Sequence, residues 1–332
     1  MGELRRDPIS GRWIIIAPER EKSPAEFMVE PRIKKGGLCP FCPGSEDKTP
    51  PEITAHREDN TKPNTPGWKI RVIPNKFPAL RVEGEIDRIG VGVYDLMNGV
   101  GAHEVIIETP DHNKQMADFS ELELEKVLHA YCQRSLDLLR DIRFKYILIF
   151  KNYGEPAGAS LEHSHSQIIA LPIVPKRVNE ELIGSSNYFE YKERCVFCDM
   201  VRQELEDGVR IIAENKSFLA FSPFASCFPY ESWVLSKEHS AFFCRMEHED
   251  IADLARILKE TLARLKKLLM DPSYNFIIHT SPAENHNEEE YHWHIEIMPK
   301  LTRTAGFEWG SGFYINPILP EHAAKFLRGV KL

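Results

Sequence analysis

No stretch of this chain approaches the roughly 18–20 consecutive apolar residues that a membrane-spanning helix requires. The first apolar run, Trp13-Ile14-Ile15-Ile16, is also too short for the apolar core of a signal peptide. Basic residues do not predominate: 42 Lys+Arg stand against 50 Asp+Glu, a formal charge of −8. That balance argues against a dedicated nucleic-acid surface, although a local basic pocket for an anionic substrate remains compatible with it. Cysteines do not come as an even set. There are seven, and four of them fall in two CxxC pairs, which points to metal or redox chemistry rather than a disulfide framework. The expectation is a cytoplasmic, reducing setting with neither membrane nor nucleic acid as partner. Whole-chain disorder is excluded by 42% apolar and 28% charged residues, and 332 residues leave room for two domains.

The pattern along the chain is a duplication. Strand-like segments fall at Arg12–Ala17, Lys69–Pro74, Gly90–Asp95 and His103–Glu108. Residues 43–68, rich in Pro and charge, read as a long loop. Ser120-Glu-Leu-Glu123 opens a helix as a capping box, and apolar residues keep a helical period to about Asp141. A strand, Tyr146–Phe150, then a small-residue loop and a strand at Ile168–Leu171 complete the first half. The second half repeats the order, with a helix over 247–269 and strands at Tyr274–Ile278 and Ile295–Met298. Cys39-x-x-Cys42, His112 and His163-x-His165 are matched in order by Cys195-x-x-Cys198, His239 and His292-x-His294, at nearly the same spacing. Pro74-Asn-Lys-Phe77 and Glu214-Asn-Lys-Ser217 read as a further matching pair. The expected fold is α+β: two tandem halves, 1–172 and 195–332, of mostly antiparallel sheet with packed helices, joined by 173–194.

CxxC spacing lets two thiolates reach one tetrahedral cation, and two histidines complete such a set. The candidate ligands are Cys39, Cys42, His112 and His163, and, in the second half, Cys195, Cys198, His239 and His292. The expected cofactor is zinc, one or two per chain. His163-Ser-His165-Ser-Gln167 is the sharpest signal, since residues two apart on a strand share a face. A neutral imidazole can attack phosphorus and carry the phosphoryl group. The Gln167 amide offers a donor that does not titrate. The small loop Ala157-Gly158-Ala159-Ser160 lets backbone N–H groups approach a phosphate. The second copy, His292-Trp-His294-Ile-Glu296, carries a carboxylate where the amide should be, so it reads as a degenerate, structural half. His56, His129, His248 and His322 read as solvated, while His103 and His286 have no spacing argument. Cys132, Cys227 and Cys244 read as small buried hydrophobes.

Taken together, Arg5-Arg6-Asp7-Pro8, Cys39-Pro-Phe-Cys42, Asn75-Lys-Phe77-Pro78, Pro110-Asp-His112, Asn152 to Gln167, Gly306-Phe-Glu308 and the Pro320-Glu-His-Ala-Ala tail resemble the galactose-1-phosphate uridylyltransferase family of the histidine-triad superfamily. The resemblance implies histidine-triad-like halves and a two-step exchange. His165 is the nucleophile toward the α-phosphorus of a nucleotide sugar, and His163 is a zinc ligand. By the same resemblance Gln167 and Ser160 hold phosphoryl oxygens, Asn75 and Asn152 face the nucleotide, Arg20 contacts phosphate, and Phe307 and Glu308 face the hexose. Partners would be a nucleotide sugar, a sugar 1-phosphate or phosphate, and a second copy of the chain in a homodimer. Ser164 and Ser166 stand where the family's usual spacers are Pro and Gly, and Ser23 stands where a second Arg is usual. Those departures are closer to the branch that includes ADP-glucose phosphorylase. Uridylyl transfer from UDP-glucose to galactose 1-phosphate is the first expectation and ADP-glucose phosphorolysis the second. A zinc-stabilised nucleotide-binding module without chemistry is the rival of another class, and a diadenosine polyphosphate enzyme is disfavoured because Gln167 is not His.

Overall fold

A computed structural model describes residues 2–27, 37–57, 61–283 and 288–332; His286 lies outside them. In chain order, β1 (Glu3–Arg6) and β2 (Trp13–Ile16) form a hairpin, followed by β3 (Thr54–Arg57), β4 (Trp68–Pro74), β5 (Ile89–Val91), β6 (Tyr94–Leu96) and β7 (Ala102–Ile107). Helix α1 (Glu121–Leu138) precedes β8 (Tyr146–Tyr153) and β9 (His165–Leu171). Helices α2 (Lys176–Lys192) and α3 (Val196–Asp207) lead to β10 (Ile211–Glu214), β11 (Phe218–Phe221) and β12 (Ser232–Ser236). Then come α4 (His248–Leu268), β13 (Tyr274–His279), β14 (His294–Pro299), α5 (Gly306–Ser311), β15 (Tyr314–Asn316) and α6 (Pro320–Arg328). None of the described helices is long and apolar enough to cross a membrane.

Ten strands make one sheet in the order β10-β11-β12-β14-β13-β8-β9-β7-β4-β3, and each neighbouring pair is antiparallel. Each half supplies five strands in the same spatial order, and the halves meet where β8 pairs with β13, Asn152 opposite Asn275. The fold is therefore the α+β class expected, two tandem halves of antiparallel sheet. Helix α1 begins where the capping box puts it: Ser120 Oγ accepts the Glu123 N–H at 3.3 Å, and Glu123 Oε2 accepts the Ser120 N–H at 2.7 Å. Helices α1 and α4 pack on each other over one face of the sheet. One apolar core runs beneath both, from Ile106, Leu128 and Ile149 to Leu254, Leu258 and Ile295.

Four readings of local structure differ from expectation. Residues 43–68 contain the edge strand β3, which has little apolar alternation of its own and exists by pairing with β4. The segment Gly90–Asp95 is not one strand but the hairpin β5–β6, turned at Gly92 in the left-handed region (φ 62°). The two Asn-Lys pieces are not equivalent in the fold. Asn75 follows β4, whereas Asn215 lies in the turn after the edge strand β10. What they share is local: each Asn Oδ1 accepts the N–H two residues on, at 2.9 and 3.2 Å. Finally, β1 and β2 do not join the ten-stranded sheet. Strand β2 pairs in parallel with β15, and Arg5 Nη1 bonds Glu321 Oε1 at 2.9 Å, so the chain's first twenty residues pack with its tail.

The segment between the halves is helix α2, and it covers the sheet face of the second half. From it Arg177 Nη2 bonds Glu296 Oε2 at 2.6 Å, and Glu181 Oε2 accepts from Tyr291 at 2.9 Å and lies 3.1 Å from His279 Nδ1. Glu181, His279, His294 and Glu296 are all buried, with ligand-type atoms within 4.8 Å of one another, a set that could also hold a cation. His279 Nε2 and His294 Nε2 face Glu296 at 3.6 and 3.9 Å, beyond hydrogen-bond reach. Burial opposes the charge on His279, but Glu181 and Glu296 outweigh it and raise its pKa to about 9. Burial pushes His294 down to about 4. Two carboxylates are thus balanced by Arg177 and a protonated His279.

His279 keeps its proton in the folded chain up to about pH 9, against about 6.5 when unfolded. Its contribution to stability is full below about pH 6.5 and is lost as pH rises through about 9. Thermal unfolding should show a falling Tm over that window, and His279→Gln should flatten the fall. An unchanged fall in that variant, or a cation bound in the proton's place, would refute the charge assignment.

Candidate active site

The nucleophile candidate stands at the first residue of β9. His165 is buried, and its Nδ1–H donates to the His163 carbonyl at 2.8 Å. That fixes the tautomer and leaves Nε2 as the nitrogen with an available lone pair. Burial, with help from the Lys151 charge, pushes its pKa down to about 4, so the ring is neutral near pH 7. Gln167 lies two residues on, on the same face. His163 is not on the strand. It precedes β9 and turns its Nδ1 to the cysteines, 3.7 Å from Cys39 Sγ and 3.6 Å from Cys42 Sγ, while its Nε2–H donates to the Thr109 carbonyl at 2.7 Å. His112 Nδ1 is 3.4 Å from Cys42 Sγ. Phe41, inside the CxxC, sets its ring edge against His165 at a centroid distance of 5.3 Å and so ties the cysteine cluster to that ring.

The second half builds the same cluster. Cys198 Sγ lies 3.3 Å from His239 Nδ1 and 3.6 Å from His292 Nδ1. His239 Nε2–H donates to the Glu288 carbonyl at 2.9 Å, and His292 Nε2–H to Ser236 Oγ at 2.7 Å. In both clusters every predicted ligand is brought together, two Cys and two His that could hold a metal. Phe197 repeats Phe41, 5.0 Å from the His294 ring.

The approach loop is fixed by two glycines. Gly154 has φ 84°, and a Cβ there would fall 2.0 Å from Ser273 Oγ. Gly158 has φ 91° and ends the short turn Glu155–Ala157. Ser160 beyond it is exposed. Asn152, on β8, accepts at Oδ1 from Asn275 Nδ2 at 2.8 Å, and the same amino group donates to the Ala157 carbonyl at 2.9 Å. Asn275 thus carries a side chain from the second half into this site. Asn75 and Gln167 both reach His103 Nε2, at 3.0 and 2.7 Å. Arg20, Phe307 and Glu308 are not gathered here. Arg20 ends a turn after β2 and is exposed. Phe307 and Glu308 belong to α5, beside β15, and Glu308 Oε2 caps its own helix at Ala305 N–H, 2.9 Å. All three therefore lie with the small three-stranded sheet.

Beneath His165 is a polar network that sequence reasoning missed. Ser164 and Ser166 alternate with His165 and Gln167 and point the other way, toward α1. Ser164 Oγ donates to Glu108 Oε2 at 2.6 Å, and Ser166 and Tyr131 both reach Glu108 Oε1. Lys151 Nζ donates to Glu108 Oε2 at 2.6 Å, to Ser164 Oγ at 3.0 Å and to the His165 carbonyl at 3.0 Å. Burial opposes ionisation of Glu108, yet Lys151 and the hydroxyls hold its carboxyl below the usual range. Removing one partner of such a pair costs about 3–5 kcal/mol. The signal was present: Lys151 interrupts an apolar strand, and two serines break the expected apolar alternation.

Residues 2–175 match the galactose-1-phosphate uridyl transferase N-terminal domain, and residues 181–322 match its C-terminal domain. The chain is 38% identical to the ADP-glucose phosphorylase of Arabidopsis thaliana, over 99% of this chain and 93% of that one. It is 30% identical to the galactose-1-phosphate uridylyltransferase of Thermotoga maritima, over 99% and 98%. Among solved structures, the Arabidopsis thaliana ADP-glucose phosphorylase with bound ADP-glucose superposes with a TM-score of 0.85 at 37% identity, covering 100% of both chains. A uridylyltransferase structure gives 0.78 at 29% identity, covering 99% and 97%. With both of its halves matched and relatives aligned along nearly its whole length, the chain belongs to the galactose-1-phosphate uridyl transferase family.

Proposed function

We propose that the chain transfers a nucleotidyl group from a nucleotide sugar by way of His165. The observation that carries this is the tautomer of His165: Nδ1–H is committed to the His163 carbonyl at 2.8 Å, so Nε2 presents a lone pair on a ring that burial keeps neutral. Nε2 attacks the α-phosphorus. The N–P bond forms as the P–O bond to the sugar 1-phosphate breaks, and that group leaves with the electron pair. An acceptor oxyanion then attacks the same phosphorus, the N–P bond breaks, and the neutral imidazole returns. Gln167 and the loop carrying Gly158 and Ser160 meet the phosphoryl oxygens, whose charge grows in the transition state. Asn75 and Asn152 face the nucleotide. In this reading the halves 1–172 and 195–332 are one catalytic and one structural unit, joined by 173–194.

Two acceptors fit this chemistry. Uridylyl transfer to galactose 1-phosphate is the family's named activity. Adenylyl transfer from ADP-glucose to phosphate is supported by 38% identity to a curated ADP-glucose phosphorylase along 99% of the chain, and by the serine spacers anchored on Glu108. Zinc suits both Cys2His2 clusters. Zn–S of about 2.3 Å and Zn–N of about 2.0–2.1 Å at a tetrahedral angle put S and N about 3.6 Å apart, and the observed separations run from 3.3 to 3.7 Å. Bound there, zinc would cross-link the segments that carry Phe41 and His163, in a cytoplasmic setting that keeps the thiolates reduced. A homodimer is supported by the β5–β6 hairpin, which exposes Ile89, Val91, Val93, Tyr94 and Leu96, with Val93 89% exposed. Arg20, Phe307 and Glu308 would then enter the site from a second copy.

Rapid quench with ADP-glucose and with UDP-glucose, followed by peptide mass analysis, should find AMP or UMP on His165, and the added mass names the nucleotide. His165→Asn should lose turnover by at least about a thousandfold while keeping nucleotide affinity. Turnover with no adduct at that position would overturn the proposal. Metal analysis should give about two zinc per chain, and chelation should lower Tm. Val93→Glu should shift the dimer to monomer in sedimentation and depress activity; a fully active monomer would remove the shared-site reading.

A further inference from the structure

His103 belongs to neither cysteine cluster and is not the nucleophile, yet its ring sits between Asn75 and Gln167. It lies on β7, opposite Ile169 of β9. The backbone N–H beside it fixes its tautomer. Ala79 N–H donates to His103 Nδ1 at 3.2 Å. A ring nitrogen that accepts carries no proton, so the proton of this neutral ring is on Nε2. Nε2 lies 2.7 Å from Gln167 Oε1. Asn75 does not take that proton: its Oδ1 accepts the Phe77 N–H at 2.9 Å, so it turns its amino group to the ring, and the 3.0 Å separation from Nε2 is a contact of two donors rather than a hydrogen bond. The Nε2–H therefore donates to Gln167 Oε1, and the carbonyl end of the Gln167 amide is held against β7.

We propose that His103 is a positioning residue that selects one of the two near-isosteric orientations of the Gln167 amide. With Oε1 held by His103, the amino end of the amide is the end that can meet a phosphoryl oxygen. In the other orientation a carbonyl oxygen would meet that oxygen, a repulsive contact in a site where donors matter most as charge develops. The orientation is thus set by a backbone N–H, relayed through one imidazole, and does not depend on ligand arriving first. This inference rests on the proposed nucleotidyl transfer for its kinetic consequence, but the placement of the amide also governs the binding of any phosphate ester in the site.

The test is a set of His103 variants in wild-type and Gln167→Ala backgrounds. His103→Leu should slow formation of the nucleotidyl enzyme about ten- to a hundredfold in single turnover with ADP-glucose or UDP-glucose. His103→Gln, which keeps a donor where Nε2 was, should restore most of the rate. His103→Glu should be worse than Leu, because a carboxylate attracts the amino end of Gln167 and turns the carbonyl outward. In the Gln167→Ala background all three should be equivalent, since the effect passes through that amide. Additive losses, equal behaviour of the Gln and Glu variants, or an unimpaired Leu variant would each overturn the inference. The same cycle read as equilibrium affinity for ADP-glucose separates the two ideas. The same pattern in affinity with no adduct on the wild-type chain would reject the transfer chemistry and keep the role of His103. An intact adduct with an additive cycle would do the reverse.

Discussion

The start of strand β9 and the residue before it carry two kinds of side chain in strict alternation. His165 and Gln167 look out from the sheet, while Ser164 and Ser166 look in and are held by Glu108, itself paired with Lys151. A slip of one residue would exchange the two sets and put the imidazole into the core. The buried carboxylate and ammonium prevent that slip, because each would lose its partners without water to replace them. Lys151 also donates to the His165 carbonyl, so the same ion pair holds the backbone of His165. The tautomer of His165, the tilt of Phe41 and the reach of His103 all presuppose this register.

The two halves show how one scaffold can present two different faces. Their strand order is the same, and their cysteine clusters repeat down to the aromatic ring inside each CxxC. The difference lies in what stands on the outer face of the sheet. In the first half, among the described residues, that face is lined by half-buried amides and no helix lies across it. In the second half α2 lies across it and Arg177 neutralises Glu296. The Glu296 carboxylate, which stands where the first half has the Gln167 amide, binds that helix through Arg177. The seam between β8 and β13 then gives the closed half an indirect part in the site, since Asn275 orients Asn152.

Much of the site was legible in the residues because its chemistry is local. A CxxC, a lone histidine after a strand and an HxHxQ at the start of another are readable by spacing, and the duplicate made them countable. The capping box at Ser120 was legible for the same reason. Less legible were groups whose meaning is a contact across the sheet. Glu108 reads as the end of a strand, His103 as a histidine without context, and Lys151 draws no reading at all, until β7, β8 and β9 bring them together. Strand β3 was missed because an edge strand with weak alternation is stabilised by its neighbour. The Asn-Lys likeness misled because an Asx turn is a local motif that recurs wherever a chain turns.

By itself the sequence determined the periodicities, the turn chemistry and the chemical kinds of donor, because these depend on neighbours within a few residues. It therefore named the thiolate and imidazole sets and the neutral amide at Gln167. Only the tertiary structure decided which way that amide faces, which ring nitrogen of His165 keeps its proton, and which half of the duplication is closed. Each of those turns on a partner far away in the chain or on the carbonyl of a fixed backbone, and a hydrogen bond has a direction only once both of its ends have a place.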